Sequence, residues 1–147
     1  MNFSFNLLLV LIITGLITSE IFSQNNTSGK LSVTFIGLES NKGKVKVALC
    51  NSSKNYDDHK SPYIGKDIPI ENNKAVIEFD ELPYGEYAIK AFHDEDENDD
   101  LNTNILGMPV EDYGFSNNAR GVFGPPSWES AKFNLRNDKK VIEIILK

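Results

Sequence analysis

Acidic and amide side chains are concentrated in residues 93–104 of this 147-residue chain. The stretch holds six carboxylates and three asparagines, with no lysine or arginine. So many like charges repel one another unless a cation lies among them, and a hard divalent cation with oxygen ligands is the natural candidate. We therefore predict calcium ligands at every second position, namely Asp94, Asp96, Asn98, Asp100 and Asn102.

The spacing of these residues matches part of the EF-hand calcium loop, but some of that loop's required residues are missing. Aligned from Asp94, the stretch fits the first three side-chain ligand positions. Asp99 then stands where that loop has glycine, and Ile105 where it has a bidentate glutamate. Flexible, partly amide ligands favour calcium over magnesium, and one histidine without cysteine disfavours zinc. The alternative is a solvated acidic lid that binds no metal.

A second kind of chemistry involves His93 with Asp94 or Ser116, since such groups serve as base and nucleophile in hydrolases. The alternative for His93 is a histidine at the edge of the core, hydrogen-bonded to the long loop. For Ser116 and the asparagines after it, the alternative is turn capping. The surrounding sequence is not a nucleophile-elbow motif.

Four aromatic residues could form a carbohydrate-stacking platform. They are Tyr84, Tyr113, Phe115 and Trp128. Alternatively, they pack a long loop onto the sheet, and we favour this second role for Phe115 and Trp128.

The amino-terminal segment predicts export. Residues 7–17 are apolar and a more polar stretch follows, which is typical of a secretory signal peptide over 1–23 with cleavage after Ser23. An uncleaved anchor is the alternative, although the run is short for a membrane span. Residues 24–29 are predicted to be a flexible lead-in. The protein is expected in the periplasm or outside the cell, with no transmembrane segment after cleavage.

Charge and cysteine content exclude several classes of protein. The net charge is −6 and no basic cluster is present, so nucleic acid and anionic membrane surfaces are poor partners. Cys50 is the only cysteine, so the chain is not an intramolecular disulfide scaffold. We predict that Cys50 is a buried hydrophobe rather than a reactive thiol.

Alternating apolar residues predict an all-β domain over 30–147. No long stretch shows the helical period; single helical turns are expected near residues 127–131 and within the polar loop over 51–66. About seven short strands separated by turns are typical of a two-sheet antiparallel β-sandwich. The predicted strands cover 30–38, 44–50, 67–70, 75–79, 86–93, 132–136 and 139–146, with hairpin turns at 72–73 and 137–138.

The segment between the fifth and sixth predicted strands is too long for an ordinary connection. Its apolar residues predict one long ordered loop that packs on the domain rather than disorder. These residues are Ile105, Leu106, Met108, Tyr113, Phe115, Phe123 and Trp128.

Several short motifs in this region resemble one family, the secreted bacterial proteins called domain of unknown function 2141. They lie at residues 93–94, 101–104, 107–109, 114–118 and 124–128. The resemblance covers nearly the whole mature chain and implies an immunoglobulin-like or prealbumin-like sandwich with no assigned reaction. The chain departs from the family pattern at Asp99, where glycine is usual, and at Asn102, where aspartate is usual.

Three functions remain open at this point. The first is a binding or accessory module of the cell envelope, with a calcium-ordered acidic loop and an unknown protein or carbohydrate partner. The second is a hydrolase that uses His93 with Asp94 or Ser116. The third is a purely structural domain whose acidic loop is a solvated lid. The single histidine at a strand end, without a second catalytic cluster, favours the first function over an enzyme.

Overall fold

The computed structural model describes residues 27–58 and 60–147. The signal peptide predicted over 1–23 and residues 24–26 of the predicted lead-in lie outside this range. In the described chain, no helix has the length and apolar character needed to cross a membrane. The elements are β1 (Ser28–Ile36), β2 (Lys44–Cys50), α1 (Ser53–Asp57), β3 (Ile64–Pro69), β4 (Ala75–Pro83), β5 (Gly85–Asp94), β6 (Tyr113–Phe115), a 3₁₀ turn (Ser116–Asn118), α2 (Trp128–Ala131), β7 (Phe133–Leu135) and β8 (Lys139–Ile145).

The strands form two sheets, which confirms the all-β, two-sheet prediction at this level. One sheet has the strand order β4-β1-β8, and the other has the order β3-β2-β5-β6, with β7 also paired to β5. All pairs are antiparallel except β1 with β8, which run parallel. The sheets are therefore mostly, not entirely, antiparallel.

The core lies between the two sheets and follows from the alternation in sequence. Leu31, Val33 and Phe35 of β1 are fully buried, and Val45 and Leu49 of β2 face them from the other sheet. Burying each such side chain contributes about 1.5–3 kcal/mol to folding. The predicted inward faces of both strands are thus confirmed.

A second apolar cluster covers one end of the five-stranded sheet on its outer face. Cys50, Tyr56, Phe115 and Ala131 are buried there, and Trp128 packs against them. Burial raises the pKa of the Cys50 thiol, so Cys50 is the buried hydrophobe that we predicted rather than a reactive group.

Two predicted hairpins differ from the structure. The turn at Asn72 and Asn73 forms as predicted, with left-handed φ values of 53° and 58°. However, β3 and β4, which flank it, belong to different sheets. The predicted hairpin across residues 137–138 is wrong, because β7 pairs with β5 while β8 pairs with β1. Alternation shows which side chains point inward but does not identify the neighbouring strand.

Several element boundaries also differ. β1 begins at Ser28, so two residues of the predicted lead-in belong to a strand. β3 begins at Ile64 rather than at residue 67. The long segment contains β6, which the sequence did not predict because three residues are too few to show a period.

The prediction that the long segment packs on the domain holds only in part. Tyr113, Phe115 and Trp128 pack on the sheet. Ile105, Leu106, Met108 and Phe123 are instead exposed large hydrophobic residues. Those near residue 106 lie in a tight turn whose main-chain N–H groups donate to the Asn104 side chain.

Candidate metal centre

The acidic loop, which we define as residues 95–104, is folded around the carboxylate of Asp94. Asp94 is the last residue of β5 and is completely buried. Its Oδ1 accepts the N–H of Asn98 and its Oδ2 accepts the N–H of Asp99, each at 3.1 Å. A carboxylate that accepts two main-chain donors fixes the start of the loop.

Three carboxylates converge at this point. Oxygens of Asp94, Asp96 and Glu111 all lie within 4.8 Å of one another, and we call this group the carboxylate cluster. Glu111 Oε1 accepts the N–H of Glu95 at 3.2 Å, and its Oε2 accepts the N–H of Asn102 at 2.8 Å. The cluster is a set of hard oxygen donors, which suits calcium or magnesium and not zinc.

The structure brings some of the predicted ligands together and leaves one outside. Asn98 and Asn102 each donate a side-chain N–H to Asp96 Oδ2, at 3.0 and 2.9 Å. Both asparagines therefore lie at the rim of the carboxylate cluster. Asp100 contributes only its main-chain N–H, which donates to Asn98 Oδ1 at 2.8 Å. Its carboxylate is not part of the cluster.

Glu111 is a member of the cluster that sequence reasoning missed. It lies seven residues after the acidic loop ends at Asn104, shortly before β6. Because β6 pairs with β5, the chain before β6 returns to the end of β5, where Asp94 lies. The sequence offered only the acidic pair Glu111 and Asp112 as a signal, and the pairing of β6 with β5 that brings Glu111 to Asp94 was not predicted.

Asp99 fastens the acidic loop to β2. It adopts a left-handed φ of 71°, the conformation that favours the glycine expected there. Its Oδ1 accepts hydrogen bonds from Lys44 Nζ and Lys46 Nζ, both at 2.7 Å. The Lys44 bond, followed by that of Lys46, lowers the pKa of Asp99 to about 2. Both lysines also pair with Asp67, at 3.2 and 3.3 Å.

The turn between β1 and β2 supports the same end of β5. Gly43 has a φ of +65°, and a side chain there would overlap the main-chain oxygen of Asp94. The His93 ring is buried, and its Nε2 donates to the Lys42 carbonyl at 2.7 Å. His93 is thus at the edge of the core as expected, but its ring bonds this turn and not the long loop.

Ser116 is bonded to main-chain groups on both sides. It is completely buried, its Oγ accepts the Ile89 N–H at 2.9 Å, and it donates to the Ala131 carbonyl at 2.6 Å. Asn117 likewise donates to the carbonyls of Ser130 and Lys132. The roles are structural, but these bonds join distant segments rather than cap the local turn as we predicted. No hydrogen bond joins Ser116 to His93 among those of the described chain.

The four candidate platform aromatics do not share one surface. Trp128 and Phe115 contact Tyr56, with ring centroids 5.8 and 6.5 Å apart. Tyr84 is remote from them, and its hydroxyl donates to Asp138 at 2.8 Å. Phe115 and Trp128 therefore pack the long segment onto the sheet, as favoured from the sequence.

Comparison with known proteins gives one result. A family model described as an uncharacterized protein conserved in bacteria, domain of unknown function 2141, matches residues 33–143. The match includes the acidic loop and Glu111. No curated protein and no solved structure matches the chain.

Proposed function

This chain belongs to the bacterial family of domain of unknown function 2141, and we propose that it is an exported binding or accessory module of the cell envelope whose acidic loop is ordered by calcium. The family description carries no reaction, so the proposal depends on the site. The observation that carries it is the convergence of Asp94, Asp96 and Glu111 within 4.8 Å.

Electrostatics support a cation at this position. Three carboxylates so close together repel one another strongly, the more so because Asp94 is buried. The nearest ammonium group given by the described structure, Lys44 Nζ, lies 3.8 Å from Asp94 Oδ2 and also serves Asp67 and Asp99. A divalent ion would supply the missing positive charge.

The donor set also suits calcium. Each Asp94 oxygen accepts one N–H, and a carboxylate oxygen has about two lone pairs, so each retains one for a metal ion. Calcium accepts carboxylate and amide oxygens in flexible geometries, whereas magnesium demands a near-ideal octahedron. The partly exposed rim of asparagines at residues 98 and 102 fits the more tolerant ion.

We expect calcium to stabilise the fold. A ligand that binds only the folded state stabilises it by about 2.7 kcal/mol at a hundredfold excess over its dissociation constant. For a domain of this size that corresponds to a rise in melting temperature of roughly 10 °C. Thermal melts of the protein with millimolar calcium and with chelator measure the difference, and magnesium should substitute poorly.

Matched variants separate the site from general charge effects. Asp96→Asn and Glu111→Gln should each abolish the calcium-dependent shift, since both remove a cluster carboxylate. Asp100→Asn removes an acid from the same loop but not from the cluster, so it should retain the shift. Coincident melts with calcium and chelator would instead identify the loop as a solvated lid, and so would a shift that sodium chloride reproduces.

Export is the second part of the proposal and is tested independently. The apolar run over residues 7–17 supports it. Intact-mass analysis of the protein made in its bacterial host should give a chain that begins near Gln24. A chain that retains Met1 would contradict cleavage and favour a membrane anchor.

A further inference from the structure

The outer face of the five-stranded sheet contains a depression at its centre. Gly65 and Ala48 face outward there and are smaller than the side chains around them. Two rows of side chains cross the strands β3, β2, β5 and β6 in order: Asp67, Lys46, Phe92 and Tyr113 in one row, and Gly65, Ala48, Lys90 and Phe115 in the next.

Loops turn this depression into a groove of about 480 Å³. Pro62 from the segment before β3, Leu101 from the acidic loop and Pro125 from the long segment form its walls. Its volume lies within the range of about 300–1,000 Å³ that is usual for small-molecule sites. The floor is largely apolar, because Ala48, Phe92 and Phe115 contribute to it.

The two ends of the groove differ in charge. At one end Lys46 is neutralised by Asp99 at 2.7 Å and by Asp67 at 3.3 Å. At the other end lies Lys90, and no carboxylate of residues 27–58 and 60–147 comes within 4.0 Å of its Nζ. Lys66, which also lines the groove, likewise makes no such ion pair in the described chain. The carboxylates of Asp57 and Asp58 act on Lys90 only from beyond ion-pair distance.

Lys90 is half-buried and lines the groove, and the described structure gives one hydrogen bond for its ammonium group. Nζ donates to the carbonyl of Tyr56 and lies 5.2 Å from the centroid of the Tyr56 ring. An ammonium has three N–H donors, so two remain. Burial lowers the pKa of Lys90, and the charges of Asp57 and Asp58 act in the opposite direction, so the net shift reflects the cost of burying the ammonium group. An anion bound beside it would offset that cost.

We propose that this groove binds small monoanionic aromatic carboxylates, with the carboxylate at Lys90 and the ring against Phe92 and Tyr113. The flat apolar floor and the aromatic side chains favour a ring over a chain of hydroxyls. Three carboxylates, those of Asp67, Asp99 and Asp100, line the groove as well. They disfavour a second negative charge on the ligand, which is why the proposed ligand is a monoanion.

The test uses 2-naphthoate as the probe and 2-naphthamide as its neutral isostere. Titrations of the protein, followed by calorimetry and by chemical-shift changes, should show 2-naphthoate binding at least tenfold more tightly than 2-naphthamide. The shifted resonances should include those of Ala48, Phe92 and Tyr113. Equal affinity for the two probes, or no binding of 2-naphthoate at 5 mM or below (about 3 kcal/mol of binding free energy), would overturn the proposal.

Two variants and a control test the role of Lys90 directly. Lys90→Met should weaken 2-naphthoate binding at least tenfold, whereas Lys90→Arg, which keeps the charge, should retain it. Lys139→Met removes an exposed lysine of β8 and should leave the affinity unchanged. If Lys139→Met weakens binding as much as Lys90→Met, the effect is one of net charge and the site is wrongly assigned. The comparison of the two probes on the unaltered protein holds even if Lys90→Met does not fold.

Discussion

Replacing Asp94 with alanine is expected to lower the free energy of unfolding by about 3 kcal/mol in the presence of chelator. The carboxylate is fully buried, and it accepts the N–H groups of Asn98 and Asp99. Hydrogen bonds to a charged group contribute about 1.5–3 kcal/mol each, and both are lost. The variant also leaves the acidic loop without its anchor to β5. Urea denaturation without divalent ions measures the loss.

Two comparisons make this result specific. Asp94→Asn keeps the volume of the side chain but places an N–H₂ group where one acceptor was. Its loss of unfolding free energy should therefore be smaller than that of Asp94→Ala but greater than about 1 kcal/mol. Asp96→Ala removes an exposed carboxylate of the same cluster, together with its bonds from Asn98 and Asn102, and should cost about 1 kcal/mol or less in chelator. Equal stabilities of Asp94→Ala and the unaltered protein would show that the loop does not depend on this carboxylate.

The second large effect is expected at Ser116. Its hydroxyl joins three separate parts of the fold, since it follows β6, accepts the Ile89 N–H of β5 and donates to the carbonyl of Ala131 in α2. Ser116→Ala leaves one buried donor and one buried acceptor without partners, at about 1–3 kcal/mol each. We expect a total loss of about 3 kcal/mol, measured by urea denaturation.

Ser53→Ala is the matched control, because Ser53 is an exposed serine in α1. It should change the free energy of unfolding by no more than about 0.5 kcal/mol. A Ser116→Ala variant as stable as this control would remove the structural explanation for the residue. In that case the Ser116 hydroxyl of the unaltered protein would not be needed for stability, and it could serve as a nucleophile.

Local periodicity explains which strands could be predicted. β2 was predicted at its observed bounds, and β5 to within one residue at each end, because alternation is a property of neighbouring residues. The partners of β7 and β8 could not be predicted in this way. Their pairing depends on contacts with β5 and β1, which are distant in the sequence.

The candidate site shows the same division between local and distant information. Asp94 and Asp96 were found from their spacing, but Glu111 approaches them only through the pairing of β6 with β5. Asp100 was predicted because ligands of the EF-hand loop recur at every second residue, and its position 7 needs only a main-chain carbonyl. Glu97 and Asp99 have φ values of 59° and 71°, so the chain is not extended there and that regularity is lost.

Because β1 and β8 run parallel, the start of β1 and the end of β8 lie at opposite ends of this strand pair. At the start of β1 the Thr27 carbonyl accepts the Tyr84 N–H, next to the β4–β5 junction. The nine residues of β1 span roughly 30 Å, and at the far end of that distance β8 finishes beside β6, which pairs with the end of β5 that precedes the acidic loop. Thr27 therefore lies at the opposite end of β1 from the acidic loop, whereas Lys147 pairs with Tyr113 near that loop. We expect immobilisation at the Thr27 end to leave the acidic loop accessible to solution. An affinity tag added after Lys147 should lie close to the loop.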